Sequence, residues 1–358
     1  MPVRQEGARL QAVLAAVSAQ DCPELDQIVV ALAPGDDLTE RLVLAWAAEE
    51  PRAVVIANPE GIVSPGLNRA LAASYQRYVV RVDGHCLVPP DLVSHLLATV
   101  RRTGATCAGP RLRTCGEGHV QRGIAAAMSS SLGVGGARFR TSTASDWVDT
   151  VAFGLYERGV LARLGGFRPE LVRNQDDELN ARVRRDGGRI YLDADVCVDY
   201  FPRDSLRGLG RQYYEYGYWR TVTARTCGDA LRVRQLVPGL LVAGVAGGAV
   251  LAAVGLWQPL AAGLSLYALG LLALAGQSLR RTRRVLAAAV SPAAGAVMHL
   301  AYGAGLWRSL LRPSMLRPWP EALPPLPPLT SPQPLPLHAP PAVPEALGSL
   351  EALPVPGA

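Results

Sequence analysis

Two short stretches of this 358-residue chain hold residue types that could do chemistry. Asp176, Asp177 and Glu178 follow one another in Asn174-Gln175-Asp176-Asp177-Glu178-Leu179-Asn180. Neighbouring carboxylates raise one another's pKa toward neutrality, which suits a group that takes a proton. The same acids opening a helix also satisfy its dipole. Asp83-Gly84-His85 offers a carboxylate and an imidazole two residues apart. Carboxylate oxygen suits Mg2+ or Mn2+, and imidazole tilts the choice toward Mn2+. Asp-Gly is also a common turn after a strand.

The segments around these residues alternate. Ile28–Leu32, Val54–Ala57 and Tyr78–Val82 are short apolar runs that read as strands. Asp37–Glu50, Gly66–Ser74 and Pro90–Arg102 read as helices between and after them. Strands rich in β-branched residues alternating with helices predict a parallel, doubly wound α/β sheet. Ligands of such sheets bind beyond the carboxyl ends of the strands, where Asp83 falls. Asn174–Arg185 reads as a helix with acids in its first turn and Arg182, Arg184 and Arg185 toward its end. Gly133, Gly135 and Gly136 lack the spacing of a dinucleotide loop and predict a loop that packs closely on something.

Composition divides the chain into two solvent regimes. Hydrophobic residues make up 49% of it and concentrate after Leu236. Gln235–Leu279 contains no charged residue. As one helix it would run to roughly 68 Å, against a hydrocarbon core of about 30 Å. A hairpin turning at Trp257-Gln258-Pro259 resolves the mismatch. After Arg280-Arg281-Thr282-Arg283-Arg284 comes a third apolar stretch, 285–307, which either spans or is partly re-entrant around Pro292. Residues 318–358 hold 14 of the 29 prolines and cannot build a core, so the tail from 313 is expected to be disordered. The net charge of +6 comes with no lysine and dispersed arginines, which fits codon bias and argues against a nucleic-acid partner. Six scattered cysteines without a C-x-x-C pair fit a reducing setting.

In order along the chain, four stretches resemble family 2 glycosyltransferases of the succinoglycan-biosynthesis type. They are Pro2-Val3-Arg4-Gln5-Glu6, Asn58-Pro59 with Gly66-Leu67-Asn68, Arg81-Val82-Asp83-Gly84-His85, and Val148-Asp149-Thr150 with the Asp176 run. The resemblance covers about residues 1–225 and implies a GT-A fold, a doubly wound and mostly parallel sheet, followed by membrane helices. It implies a catalytic domain over 1–225, transmembrane helices over 226–312 (hairpin 236–279 and the third segment) and the tail over 313–358. The implied reaction is an inverting, metal-dependent transfer from a nucleotide-diphosphate sugar to a lipid-linked saccharide acceptor in surface polysaccharide (exopolysaccharide) synthesis. The protein would sit in the inner membrane as a multi-pass protein, its catalytic domain cytoplasmic.

The resemblance puts Asp176 at the general base with Asp177 beside it, and Gln175 where the family has an acid. Asp83 and His85 fall at the metal motif, with Mn2+ or Mg2+ as cofactor. Arg4, Glu6, Asp37, Asn58, Asn68, Arg81 and Asp83 match positions near the donor nucleotide, while Leu32-Ala33 replace an acid usual there. Glu215-Tyr216-Gly217-Tyr218-Trp219 shares only its Trp with the motif of processive relatives, and its aromatics also suit a membrane interface. The departures Gln175, Leu32 and Tyr218 keep one alternative in view, a membrane scaffold that binds nucleotide sugar without turnover. The family's first loop follows a central strand, which Met1 leaves without residues; roughly five to ten further apolar residues are expected upstream.

Overall fold

A computed structural model describes residues 1–226 and 233–312 of the chain. The proline-rich tail lies outside the described residues.

The alternation foreseen in the first hundred residues is observed. Strand β1 (Pro2–Val3) leads to α1 (Arg9–Ser18), then β2 (Ile28–Leu32), α2 (Asp37–Glu49), β3 (Ala53–Ala57) and α3 (Val63–Ala73). β2 is apolar on both faces and buried, as a strand covered on two sides must be. α2 starts where the side chain of Asp36 accepts a 2.7 Å bond from the Thr39 backbone N–H. β1, β2 and β3 pair in parallel, with Pro2 opposite Ala31 and Val29 opposite Val54.

Next come β4 (Tyr78–Val80), β5 (Cys86–Leu87), α4 (Leu92–Thr103) and β6 (Cys107–Thr114). Helices α5 (Gly118–Met128), α6 (Ser131–Val134) and α7 (Arg138–Thr141) follow, then β7 (Asp146–Val148), β8 (Leu155–Glu157), α8 (Arg158–Arg163), α9 (Gln175–Arg185) and β9 (Ile190–Tyr200). These strands form a second sheet in the order β4-β8-β6-β9-β5, with β7 also on β9. β6 and β9 run parallel, whereas β8 enters antiparallel between β4 and β6. The class is the α/β one expected, with a mixed second half that no local pattern announced. β1 pairs with β2 alone, so β2 and β4 belong to separate sheets. A cavity of about 420 Å³ lies between them, lined by Met1, Ile28, Val29, Val79, Val80 and Leu155 among others.

Among the described residues, three helices are long and apolar enough to cross a membrane: α11 (Val233–Ala253), α12 (Gln258–Thr282) and α13 (Val285–Leu310). They follow α10 (Leu206–Thr226), the first helix after β9. The turn between α11 and α12 falls at 254–257, just before the Gln258-Pro259 read as its tip, with Gly255 at φ 90° and a proline opening α12. α13 runs unbroken through Pro292. A proline there cannot donate to the Ala288 carbonyl, and the Ser291 hydroxyl does so instead at 2.9 Å. α13 is sandwiched between α5 and α10 on one side and the α11–α12 hairpin on the other. Its first half meets α5, where Gly123 faces Val290 and Ala287, and its second half meets α10. A Cβ on Gly217 would stand 2.0 Å from the Tyr302 carbonyl, and one on Gly305 2.0 Å from that of Tyr214, so α10 and α13 touch backbone to backbone. α11 crosses its other side at Gly303, and α12 at Gly295. One apolar core accordingly runs from Val30 and Leu96 through Met128 to Leu274 and Met298.

Candidate active site

Asp83 and Asp176 arrive from different elements and meet on one arginine. Arg81, just past β4, is 6% exposed and sends Nη2 to Asp83 Oδ1 at 2.8 Å and Nη1 to Asp176 Oδ2. Its own backbone N–H is held by the Gly154 carbonyl. Arg81, matched by resemblance to the nucleotide side, is thus the counter-charge beneath both acids. Burial opposes its charge, but Asp176 and Asp83 raise its pKa above the ordinary arginine value.

Asp176 opens α9, which starts after Asn174 at φ 64°; the Asn174 amide is tied to the Tyr216 carbonyl at 3.1 Å. The Oδ1 atom of Asp176 is buried and has no hydrogen-bond partner. Burial pushes the Asp176 carboxyl up to about 6; Arg81 opposes that shift, while Asp83 and Asp177 add to it. Burial pushes Asp83 the same way, yet Arg81 and His85 outweigh it and hold its carboxyl below the usual range.

His85 stands 3.5 Å from Glu6 through Nδ1 and is edge-on to Tyr200. Burial alone would lower its pKa, but Glu6 and Asp83 raise it. Glu6 packs closely on Gly84, between Asp83 and His85: a Cβ there would lie 2.9 Å from the Glu6 side chain. Asp83 and His85 line one cavity of about 820 Å³ together with Asp176 and Asp177. Their oxygen and nitrogen donors fit a divalent ion of the Mn2+ or Mg2+ kind.

The other acids of the run are engaged. Asp177 accepts from the Thr150 hydroxyl at 2.7 Å and lies 3.8 Å from Arg220. Glu178 is fully buried between Arg168 at 3.1 Å and Arg182 at 2.7 Å. Asn180 bonds Thr150, Val151 and Tyr156.

Of the residues matched to the nucleotide, Arg81 and Asp83 line this cavity, whereas Arg4, Glu6, Asp37, Asn58 and Asn68 do not, although Glu6 reaches it through His85. Arg4 donates to the Gly61 carbonyl at 2.9 Å. Asp37 is exposed in the first turn of α2, whose cap is Asp36. Asn58 is buried, with its amide on the Ile62 carbonyl and its Oδ1 without a partner. Asn68 spends both ends on the backbone of Phe167, at 2.6 and 2.7 Å, and serves as a packing clamp.

Sequence reasoning missed the cavity's arginines: Arg140, Arg173, Arg203, Arg220 and Arg234. Arg140 sits on α7, close to the glycine-rich stretch read as a packing loop, and lies 4.7 Å over the Tyr200 ring. The packing expected of that stretch is observed, since a Cβ on Gly133 would meet the Ala127 carbonyl at 2.0 Å. A separate group, His95, Asp193 and Asp195, also brings three ligating atoms within 4.8 Å of one another and could hold a cation. It is not part of the cavity lining.

Residues 1–165 match the family described as Glycosyl transferase family 2. The succinoglycan biosynthesis protein ExoA of Rhizobium meliloti (strain 1021) is 30% identical over 322 residues, 87% of this chain and 94% of that protein. Among solved structures, the mannosyltransferase PcManGT from Pyrobaculum calidifontis, in complex with GDP-Man and Mn2+, is similar with a TM-score of 0.55. The likeness covers 87% of this chain and 85% of that one at 16% identity, and speaks for the fold.

Proposed function

The chain belongs to the family 2 glycosyltransferases, and from that premise we propose an inverting enzyme that moves a sugar from a nucleotide-diphosphate donor to a lipid-linked acceptor in exopolysaccharide synthesis. The observation that carries the catalytic reading is the state of Asp176. Its carboxyl is raised to about 6 and one of its oxygens lacks a partner, beside Asp83 and His85 on the cavity. A carboxylate so placed is ionised at neutral pH yet gains from accepting a proton.

In the proposed reaction Asp176 takes the proton of the acceptor hydroxyl as that oxygen forms its bond to the anomeric carbon. The bond from that carbon to the donor diphosphate breaks, and the nucleoside diphosphate leaves with the electron pair. Attack from the face opposite the leaving group inverts the centre. Asp83 and His85 would hold Mn2+ or Mg2+, which when bound supplies positive charge for the departing diphosphate. Arg81 keeps Asp83 ionised and limits how far the Asp176 pKa climbs.

For the membrane, we read α11 and α12 as a spanning hairpin with its Trp257 end on the far side. α13 lies along the membrane-facing side of the catalytic half. The Arg280–Arg284 cluster sits by the catalytic half, since Arg281 donates to the Ser129 carbonyl at 2.7 Å. Both would face the cytoplasm under the positive-inside rule.

The test is a screen of the purified full-length protein in lipid nanodiscs against several nucleotide sugars, with and without Mn2+. Release of nucleoside diphosphate from one of them in the presence of Mn2+ is expected. Tight binding of a nucleotide sugar with no turnover, even with membrane lipid extract added, would favour the scaffold reading. The anomeric configuration of the product by NMR checks inversion.

A further inference from the structure

The cavity that holds Asp176 does not end at the catalytic half. It continues into the membrane helices, where Gly263, Leu266, Tyr267, Gly270, Leu271 and Leu274 line it from α12. These positions recur at intervals of three, one, three, one and three, which makes them one stripe of a helix. Val237 and Leu241 of α11 and Met298 of α13 also line this part. At the catalytic end the lining is charged, with Asp83, Asp176 and Asp177 facing Arg140, Arg173 and Arg220. The cavity is therefore ionic at one end and hydrocarbon-like at the other.

We infer that the α12 stripe is the seat of the acceptor's hydrocarbon chain, with the acceptor's phosphate or diphosphate head among the arginines and its sugar at Asp176. This rests on the reading of the acceptor as lipid-linked and says where the lipid lies. A water-soluble acceptor has no use for an apolar extension of the catalytic cavity. An amphiphile with an anionic head and a long apolar chain matches both ends. The stripe from Gly263 to Leu274 covers about 16 Å of helix, roughly half the hydrocarbon thickness. It is also reachable from the bilayer, as Leu266 is 72% exposed.

The glycines give the groove its room. A Cβ on Gly263 or Gly270 would meet no atom within 4 Å, so both leave open space where a chain can lie. Moving a chain from bilayer lipid into such a groove brings little hydrophobic gain, since both surroundings are apolar. Affinity therefore resides in the charged head, and the groove fixes the direction from which the sugar approaches Asp176.

The experiment uses the full-length protein in lipid nanodiscs and a polyprenyl phosphate carrying a diazirine in the isoprene units nearest the phosphate. Photolysis is expected to label α11 and α12 peptides lining the groove. Gly263→Leu and Gly270→Leu fill space that is empty, and each is expected to cut labelling roughly tenfold. Gly276→Leu is the matched control: its Cβ also meets nothing within 4 Å, yet it is not part of the cavity lining, and it should label as the parent does. Nucleotide-sugar hydrolysis is measured on the same samples. Unchanged labelling in both groove variants, or equal labelling by a diazirine phosphatidylglycerol, would overturn the groove. Loss of labelling with hydrolysis intact supports it, whereas a parent protein without any hydrolysis or transfer would instead remove the catalytic reading on which it stands.

Discussion

Two ion clusters built from the same residue types lie two residues apart on α9, with opposite arithmetic. In one, a single acid, Glu178, is shared by two arginines, Arg168 and Arg182. In the other, a single arginine, Arg81, is shared by two acids, Asp83 and Asp176. Where arginine is in excess, the acid is gripped from both sides and ties α9 to the 164–168 segment, as Arg182 also donates to the Leu164 and Gly166 carbonyls. Where acid is in excess, one carboxylate keeps an unmatched oxygen and a raised pKa. The first arrangement holds a fold together, and the second leaves a group ready to take a proton.

The sharpest way to break this contrast is to neutralise each acid in turn. Asp176→Asn keeps the shape but cannot accept a proton, and turnover should fall on the order of 10²–10⁴-fold while nucleotide-sugar binding survives. Thermal stability should hold, because a poorly compensated charge is removed. Near-full turnover would refute the assignment. Glu178→Gln should do the reverse. It leaves buried arginine charge without its partner, a loss of about 3–5 kcal/mol, read as a lower urea midpoint with normal turnover per folded molecule.

Removing divalent cations should stop transfer, and Asp83→Ala should weaken nucleoside-diphosphate binding chiefly when Mn2+ is present, as calorimetry with and without chelator would register. Full activity in excess chelator would sink the metal role of Asp83 and His85.

A finer test is pH. The proposed base works ionised, so kcat/KM should rise as pH increases through about 6 and level off above it. Arg81→Gln removes the cation that opposes this shift, and the rise should move to higher pH. The stability effect has the opposite sense. The folded state holds the Asp176 proton up to about 6 and the unfolded chain only to its ordinary 3.8, so this group favours folding at low pH, and that contribution is lost as pH rises through about 6. The smallest expected effect is that of Asp177→Asn, roughly tenfold or less in rate, since Asp177 is already bonded to Thr150.

Much of the fold's first half was legible because its signals are local. β2 came out at the residues read from its apolar run, and the helix read over 37–50 ends one residue earlier, at Glu49. α1 was not foreseen, although Leu10, Val13, Leu14 and Val17 are buried along it at helical spacing; its short amphipathic pattern precedes the first clear strand. Asp83, His85, Asp176 and Asp177 do meet in one cavity. Asn68 illustrates the limit: its type and position matched a nucleotide contact, yet both ends of its amide are used on Phe167, 99 residues away.

The sequence by itself determined what depends on neighbours in the chain: the strand and helix periods, the apolar lengths of α11 to α13, a turn close to Gln258, and the pairing of acid types with a helix start. Only the tertiary structure decided which charges share which partner. Arg81 reaches Asp176 across 95 positions, and Glu178 rather than Asp176 receives the second arginine. Gly217 and Gly305, far apart in the chain, likewise bring α10 and α13 into backbone contact. In each case the deciding quantity is burial with or without a matched partner, and that is fixed by which segments the fold brings together.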